Sequence, residues 1–443
     1  MNRLREFYFA AWAICFSVAS FLLIPSVQGT TPANLFALAS LGFAPFLRRE
    51  KFRQYVQALL IFAGCWIALV GLGQAGLHFF HSPPLPRVLA VDPDDFSVLF
   101  RKSIITQTAY LVAGFLTCLF FALCYRPEWR RYLFWGAWVL AIYGIYEWLY
   151  FLIMKQPGDF IANRSFLGGA HPGSWSQIIH VGKFELLRIK STTGEPSFLA
   201  LAGVPYLILA ISSRKWALVA ALSFCLFLSF STTFYLSAFL VAGFSIFYFR
   251  AWKGRYLAVI AGLAVVGIAL VIIFPEFIDS VFAKKLSGEG PSGNIRSHVY
   301  LEAMAYWTRL SFVNKIVGIG FGSAFVTPWL GGILINAGLI GVALYFLGFG
   351  WPVFKLPNTP ENWEIKAMLL ALVFMLSVSV ADFTYLTTWM ALGLAYGRLR
   401  EVNPPSGSPS SSSGRKRRRS SRQVETPAIP IIPAIDRPAS DTP

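Results

Sequence analysis

From Trp216 to Phe249 the chain runs 34 residues without a charged side chain. As a single helix that run would be about 51 Å long at 1.5 Å per residue. A bilayer's hydrocarbon layer is only about 30 Å thick. The run therefore folds back, and Ser229-Phe230-Ser231-Thr232-Thr233 is the polar cluster where it can turn. The rest of the chain has the same character. Only 13% of its 443 residues are charged and 56% are hydrophobic, against about 25% charged residues in a soluble protein. Mean hydropathy is +0.58. The sequence thus predicts an all-α polytopic membrane protein and excludes a soluble enzyme fold.

A span needs about 20 apolar residues. The pattern places spans near 7–25, 33–47, 55–77, 104–125, 132–153, 197–211, 216–230, 232–249, 256–274, 328–353, 367–381 and 383–397. Phe7 to Pro25 has no small-residue cleavage site behind it and is expected to remain as the first span. The final apolar run carries one charge, Asp382, and is split there. Short connections dense in cations mark the cytoplasmic side. They are Arg3/Arg5, Arg48/Arg49/Lys51/Arg53, Arg126/Arg130/Arg131, Arg214/Lys215, Arg250/Lys253/Arg255, Lys355/Lys366 and Arg398/Arg400. Twelve spans with both termini inside satisfy the pattern, and ten or eleven remain if the last pair is a re-entrant hairpin. Two large extracytoplasmic loops follow, 154–196 and 275–327.

The polytopic body is expected over 1–400. Residues 401–443 are Pro- and Ser-rich and carry the run Arg415 to Arg419, so this stretch cannot bury a core and reads as a disordered basic cytoplasmic tail. It suits contact with anionic membrane lipid, with a specific partner site as the alternative. A tail tethered to a membrane argues against nucleic acid. Five cysteines, Cys15, Cys65, Cys118, Cys124 and Cys225, lie in apolar runs without metal-ligand spacing. No metal site and no cofactor are expected. The alternating Gly318, Gly320 and Gly322 lack a strand–helix context, so they form no dinucleotide fingerprint.

Ionisable groups gather in the outer loops. In the first, Arg188 and Lys190 lead into Ser191-Thr192-Thr193-Gly194, followed by Glu195 and Pro196. Pro at the first helical position loses no hydrogen bond. Glu195 then reads as a helix cap or as a chemical group. In the second, Asn294 to Leu310 has helical periodicity, with His298 and Glu302 at i and i+4 and an apolar face of Tyr300, Met304 and Trp307. His298 either pairs with Glu302 or serves chemistry, and Arg296 faces another side, toward headgroups or a ligand. Glu147, Asn336 and Asp382 are the main polar residues of the spans. Cations held outside suit an anionic ligand such as a phosphate-bearing lipid, which Arg binds best.

Three pieces of this sequence together resemble the bacterial O-antigen polymerase/ligase superfamily, in particular the Wzy-type polymerases of O-antigen and exopolysaccharide units. The first is Arg188 followed by Gly194-Glu195-Pro196-Ser197 opening a span. The second is Leu228 to Leu240 at a tight turn. The third is Ser292 to Arg296, then the glycine-rich stretch from Val317 and the run through Asn336 to Gly341. The likeness covers roughly residues 100–397. It implies a metal-independent membrane glycosyltransferase in the cell's inner membrane, polymerising polyprenyl-pyrophosphate-linked repeat units at the outer face. Its partners would be those lipid-linked glycans, membrane lipids and a chain-length regulator. Such chemistry needs cations on the departing pyrophosphate and a base for the acceptor hydroxyl. The resemblance assigns Arg188 and Arg296 to pyrophosphate, Lys190 as a helper, and Glu195 or His298 as base.

The ligases of that superfamily carry a His about ten residues before the closing Gly-x-x-Gly. Here the region reads Val326-Thr327-Pro328-Trp329, which favours polymerase over ligase. A basic residue in the second motif's turn is also absent, since Thr233-Phe234-Tyr235 stands there. The alternatives are a ligase transferring glycan to lipid or protein, a lipid-glycan flippase, and an assembly subunit. No repeat between the halves supports a transporter.

Overall fold

A computed structural model describes residues 2–24, 29–161, 164, 177–181, 184–249, 291–378 and 383–403. The expected span 256–274 and the expected disordered tail beyond 403 lie outside them. The chain divides into Met1–Val402 and Asn403–Pro443, and only the first is described further.

The described residues are predominantly helical. The helices are α1 (Asn2–Cys15), α2 (Pro32–Ala39), α3 (Arg49–Phe79), α4 (Lys102–Leu123), α5 (Arg130–Met154), α6 (Pro196–Ser212), α7 (Trp216–Leu228) and α8 (Thr232–Tyr248), followed by α9 (Pro291–Arg309), α10 (Phe312–Val317), α11 (Trp329–Lys355), α12 (Pro360–Val378) and α13 (Leu386–Val402). This is an all-α architecture with apolar helices suited to a membrane. Four helical stretches, Arg49–Phe79, Lys102–Leu123, Pro127–Met154 and Trp329–Lys355, are long and apolar enough to cross by themselves. The helices α6, α7 and α8 are apolar but shorter. The long uncharged run does break, with α7 ending at Leu228 and α8 starting at Thr232.

Three expectations need correction. The first apolar run was expected to be one helix over 7–25, yet α1 stops at Cys15. Beyond it, Ser17 and Ser20 are fully buried and bond to a distant turn described below. The outer loop 154–196 is not wholly irregular: β1 (Ile178–Val181) pairs antiparallel with β2 (Phe184–Leu187), in the register Ile178 to Leu187. Finally, α9 forms where expected, and Met304 and Trp307 of its expected apolar face do pack inward, but the centre of the buried face lies elsewhere. The helix buries Ala303, Tyr306 and Leu310 against Leu77, Ile319 and Ile335, while Tyr300 is exposed.

At the centre lies α6, apolar on all sides and buried over most of its length, as a helix enclosed by others should be. It packs on α5, α7, α8, α12 and α13. One end of the bundle collects the cationic connections. Arg131 pairs with Glu6 at 2.7 Å, Arg130 pairs with Glu364, Arg398 bonds Asn362 at 2.9 Å, and Arg400 bonds Gln54. The connections expected on the outer side meet at the other end. Ser82 donates to Asn314 Oδ1 at 2.8 Å, Val91 N–H to the Ser323 carbonyl at 3.2 Å, and Tyr385 Oη to the Thr193 carbonyl at 3.0 Å.

Candidate functional site

The segment from Arg188 to Ser197 is a tight turn gripped on both sides. On one side, Arg188 reaches the turn between α7 and α8. Its Nε donates to the Ser229 carbonyl at 3.1 Å, its Nη2 to the Phe230 carbonyl at 3.3 Å, and its Nη1 to Gln177 Oε1. The Ile189 N–H donates to the Leu228 carbonyl at 3.1 Å. The first two sequence motifs are therefore neighbours in space. Arg188 itself is half-buried, and these bonds hold the carbonyls that end α7.

On the other side lies a network of buried charges. Glu147 of α5 is fully buried, and its Oε2 accepts the N–H groups of Lys190 at 3.2 Å and Ser191 at 2.9 Å. Ser191 has φ +52°, a left-handed conformation that a non-glycine residue keeps only when its surroundings hold it. The Lys190 ammonium is also fully buried, 2.6 Å from Asp159 Oδ2. Asp159 further accepts from Arg164 Nη2 at 2.6 Å and Nε at 3.1 Å, and from Tyr143 Oη at 2.9 Å. Arg164 Nη1 donates to Ser20, whose hydroxyl donates to the Thr192 carbonyl at 2.8 Å. Two carboxylates and two cations thus balance. Burial pushes the Asp159 carboxyl up, but Arg164 and Lys190 outweigh it and hold it below the ordinary carboxylate range.

Lys190 is thereby an internal counter-ion, enclosed by protein rather than presented to a ligand. Glu195 occupies the N-cap position of α6 but makes no side-chain cap bond; its Oε1 accepts the Ser197 hydroxyl at 2.6 Å. The backbone of Arg296 falls in α9, and its side chain lies outside the described residues. His298 is exposed on α9, and no hydrogen bond or ion pair joins it to Glu302 among the described residues. Helix α9 packs on α11 and the 87–89 turn. The structure therefore brings together Arg188, Lys190 and Glu195 and sets His298 on a different element. Sequence reasoning singled out Glu147 but not Asp159 or Arg164, whose shared site depends on chain segments far apart in sequence.

The glycine-rich third motif forms a loop folded onto α11. Asn336 fixes it, accepting the Ala324 N–H at 2.8 Å and donating to the Ala324 carbonyl at 2.7 Å. Gly338 kinks α11 with φ +62°, and a Cβ there would sit 2.3 Å from the Ile316 carbonyl oxygen. Gly318 meets the Asn336 and Ala337 backbone equally closely. These glycines serve close backbone packing.

Against this loop lies a cavity of about 520 Å³. Its wall mixes hydrogen-bonding groups, including Asn34, Ser103, Thr106 and Gln107, with the rings of Tyr110, Trp329 and Tyr385. Lys102 and Asp92 are its charged lining residues. Sequence reasoning missed Lys102; its place just before the α4 apolar run was the available signal. Arg188, Lys190, Glu195 and His298 do not line it, yet the turn backs it. Tyr385, which bonds the Thr193 carbonyl, packs at a tilt against Phe198 of α6, with ring centroids 5.0 Å apart, and both line the wall. Beside this cavity runs an apolar cleft of about 280 Å³ between α3, α11 and α13, lined by Phe62, Trp66, Leu344 and Trp389. Phe321, Trp329, Asn336 and Phe383 line both.

Fold and cavities thus define an all-α chain whose apolar helices suit a membrane. Compared with protein-family models, with curated proteins and with solved structures, the chain finds no match in any of the three.

Proposed function

We propose that this protein is a multi-pass membrane glycosyltransferase that polymerises polyprenyl-pyrophosphate-linked repeat units at the outer face of a bacterial inner membrane. One observation carries the reading: a cavity whose wall mixes hydrogen-bonding side chains with aromatic rings shares four residues with an apolar cleft. A lipid-linked glycan has the same two halves. Hydroxyl and amide side chains with ring faces suit a sugar, and a dry cleft suits an isoprenoid. In the reaction the acceptor hydroxyl oxygen attacks the anomeric carbon of the donor. The bond from that carbon to pyrophosphate oxygen breaks, pyrophosphate leaves with the electron pair, and the hydroxyl proton passes to a base. Lys102 of the cavity wall is the cation proposed to oppose the leaving charge; Arg188 and Arg296 as further cations, and Glu195 or His298 as base, are carried by the sequence resemblance, since Arg188, Glu195 and His298 do not line this cavity. Lys190 acts through the turn, as counter-ion to Asp159. The twelve-span arrangement with both termini inside belongs to this proposal.

The test is the length of lipid-linked glycan in cells making Arg188→Ala or Lys102→Ala at normal abundance. Polymerase action predicts that single repeats accumulate at the outer leaflet in both. Long polymer persisting in both refutes the site. Long polymer left on its lipid carrier points to ligation, and repeats that never reach the outer leaflet point to a flippase.

A further inference from the structure

The loop between α3 and α4 encloses a second cavity, of about 210 Å³, against α9 and the glycine-rich loop. Its wall includes Arg87, Asp95, Arg101, Tyr306 and Ser323. The volume holds several waters or one small polyatomic ion, since a water takes about 30 Å³. Arg101, the residue before α4, is only 7% exposed. Its Nη2 donates to the Asp95 carbonyl, while its buried Nε has no partner among the described residues. A buried charged donor without an acceptor is costly, and native structures rarely leave one.

Asp95 does not supply that acceptor. Its carboxylate is taken by the N–H groups of Ser97 and Lys102, each at 2.9 Å, and the two side chains form no ion pair. Asp95 stays ionised, held down at about 2 by bonds from Ser97 and then from Lys102. At the rim, the Arg87 guanidinium lies 4.4 Å over the Phe96 ring, so two arginines face one carboxylate. Tyr306 Oη is fixed by donating to the Pro83 carbonyl at 3.0 Å. The wall is thus rigid and carries net positive charge.

We infer that this cavity is an oxyanion site for one phosphate group, gripped by the buried Arg101 with Arg87 at the rim. Arg suits that role because its planar fork matches phosphate geometry. The site is separate from the larger cavity: Lys102 lines one and Arg101 the other. The phosphate is either a soluble ion or ester or part of a lipid headgroup.

The experiment titrates inorganic phosphate into the full chain in phosphatidylcholine nanodiscs, read by calorimetry. One saturable site is expected. Arg101→Gln removes a charge-assisted contact and weakens binding about tenfold or more. Because Arg101 also holds the Asp95 backbone, Arg87→Gln is the second variant; its side chain is exposed, and a several-fold loss is expected. Absence of saturable binding, or unchanged affinity in both variants, overturns the site. Nanodiscs of phosphatidylglycerol then separate the sources. Weaker apparent phosphate binding there shows a headgroup competing for the site, and unchanged binding shows a soluble ligand.

Discussion

Replacing Asp159 by Asn tests whether the buried charges hold the central turn. Asp159 is the acceptor for Arg164 at 2.6 and 3.1 Å, for Lys190 at 2.6 Å and for Tyr143 at 2.9 Å. Asn keeps the shape and one acceptor oxygen, so the change is mainly electrostatic. It leaves the buried Arg164 and Lys190 without the carboxylate they share, while Glu147 still accepts the Lys190 backbone N–H. Removing one member of a buried ion pair costs about 3–5 kcal/mol, against about 0–1 kcal/mol for an exposed pair. We expect about 3 kcal/mol here because Asn retains the Tyr143 bond. The assay is unfolding in mixed detergent–SDS micelles followed by tryptophan fluorescence. Lys190→Met and the double variant complete a cycle. Asp159→Asn with Lys190→Met removes one buried charge of each sign and so restores the formal balance. The double variant should therefore lose at least about 1 kcal/mol less than the sum of the single losses. A loss below about 1 kcal/mol for Asp159→Asn, with additive single effects, would refute the reasoning.

Acid should loosen the loop before α4. The Asp95 pKa lies at about 2 when folded, below about 3.9 for a free Asp. A depressed carboxylate contributes fully above about pH 4 and loses that contribution as pH falls through 2. Hydrogen exchange at the Lys102 amide, which Asp95 accepts, should then rise relative to intrinsic rates between pH 4 and 2; protection lost already above pH 4 contradicts this. Gly338→Ala should abolish most folded protein, because φ is +62° and the new methyl meets the Ile316 carbonyl at 2.3 Å. Gly348→Ala in the same helix has nothing within 4 Å and should leave the yield of monodisperse protein unchanged. Equal yields from the two would remove the case for close packing at the kink.

Much of the helix layout was legible because charge and length constrain a membrane chain so strongly. A 34-residue uncharged run can only fold back, and it breaks at its Ser/Thr cluster. The expected split at Asp382 lies outside the described residues, between α12 (Pro360–Val378) and α13 (Leu386–Val402). The early end of α1 was not legible. Its following residues find partners in Thr192, 172 and 175 positions away, and local periodicity carries no trace of them. The buried face of α9 was only partly legible, since Met304 and Trp307 pack inward while Tyr300 does not. Val299 and Tyr300 are adjacent apolar residues, so the pattern fits two rotations of the helix about 100° apart. Neighbours alone decide between them, and Leu77 and Ile335 select the one with Ala303 and Tyr306 inward. The charged turn from Arg188 to Glu195 stood out in the sequence, whereas the enclosure of Lys190 by Asp159 and Glu147 did not.

That enclosure changes what the central turn does. Arg188 fastens it to the carbonyls after α7, and Glu147 fastens its backbone at Lys190 and Ser191. Between these anchors Ser191 is held in a left-handed conformation, which fixes where the Thr193 carbonyl points. Tyr385 reads that position through its hydroxyl and packs at a tilt against Phe198, and both rings line the larger cavity. Among the described residues, one route from the charges to the cavity thus runs through the turn and Tyr385. This chain of contacts separates two kinds of loss. Lys102→Ala removes a cation from the cavity wall and should leave stability close to wild type. Asp159→Asn should lower stability and, where folded protein remains, disturb the cavity through Tyr385. Tyr385→Phe cuts the last link alone. If the cavity depends on the turn, Tyr385→Phe should reproduce the change in glycan length caused by Asp159→Asn while keeping most of its stability.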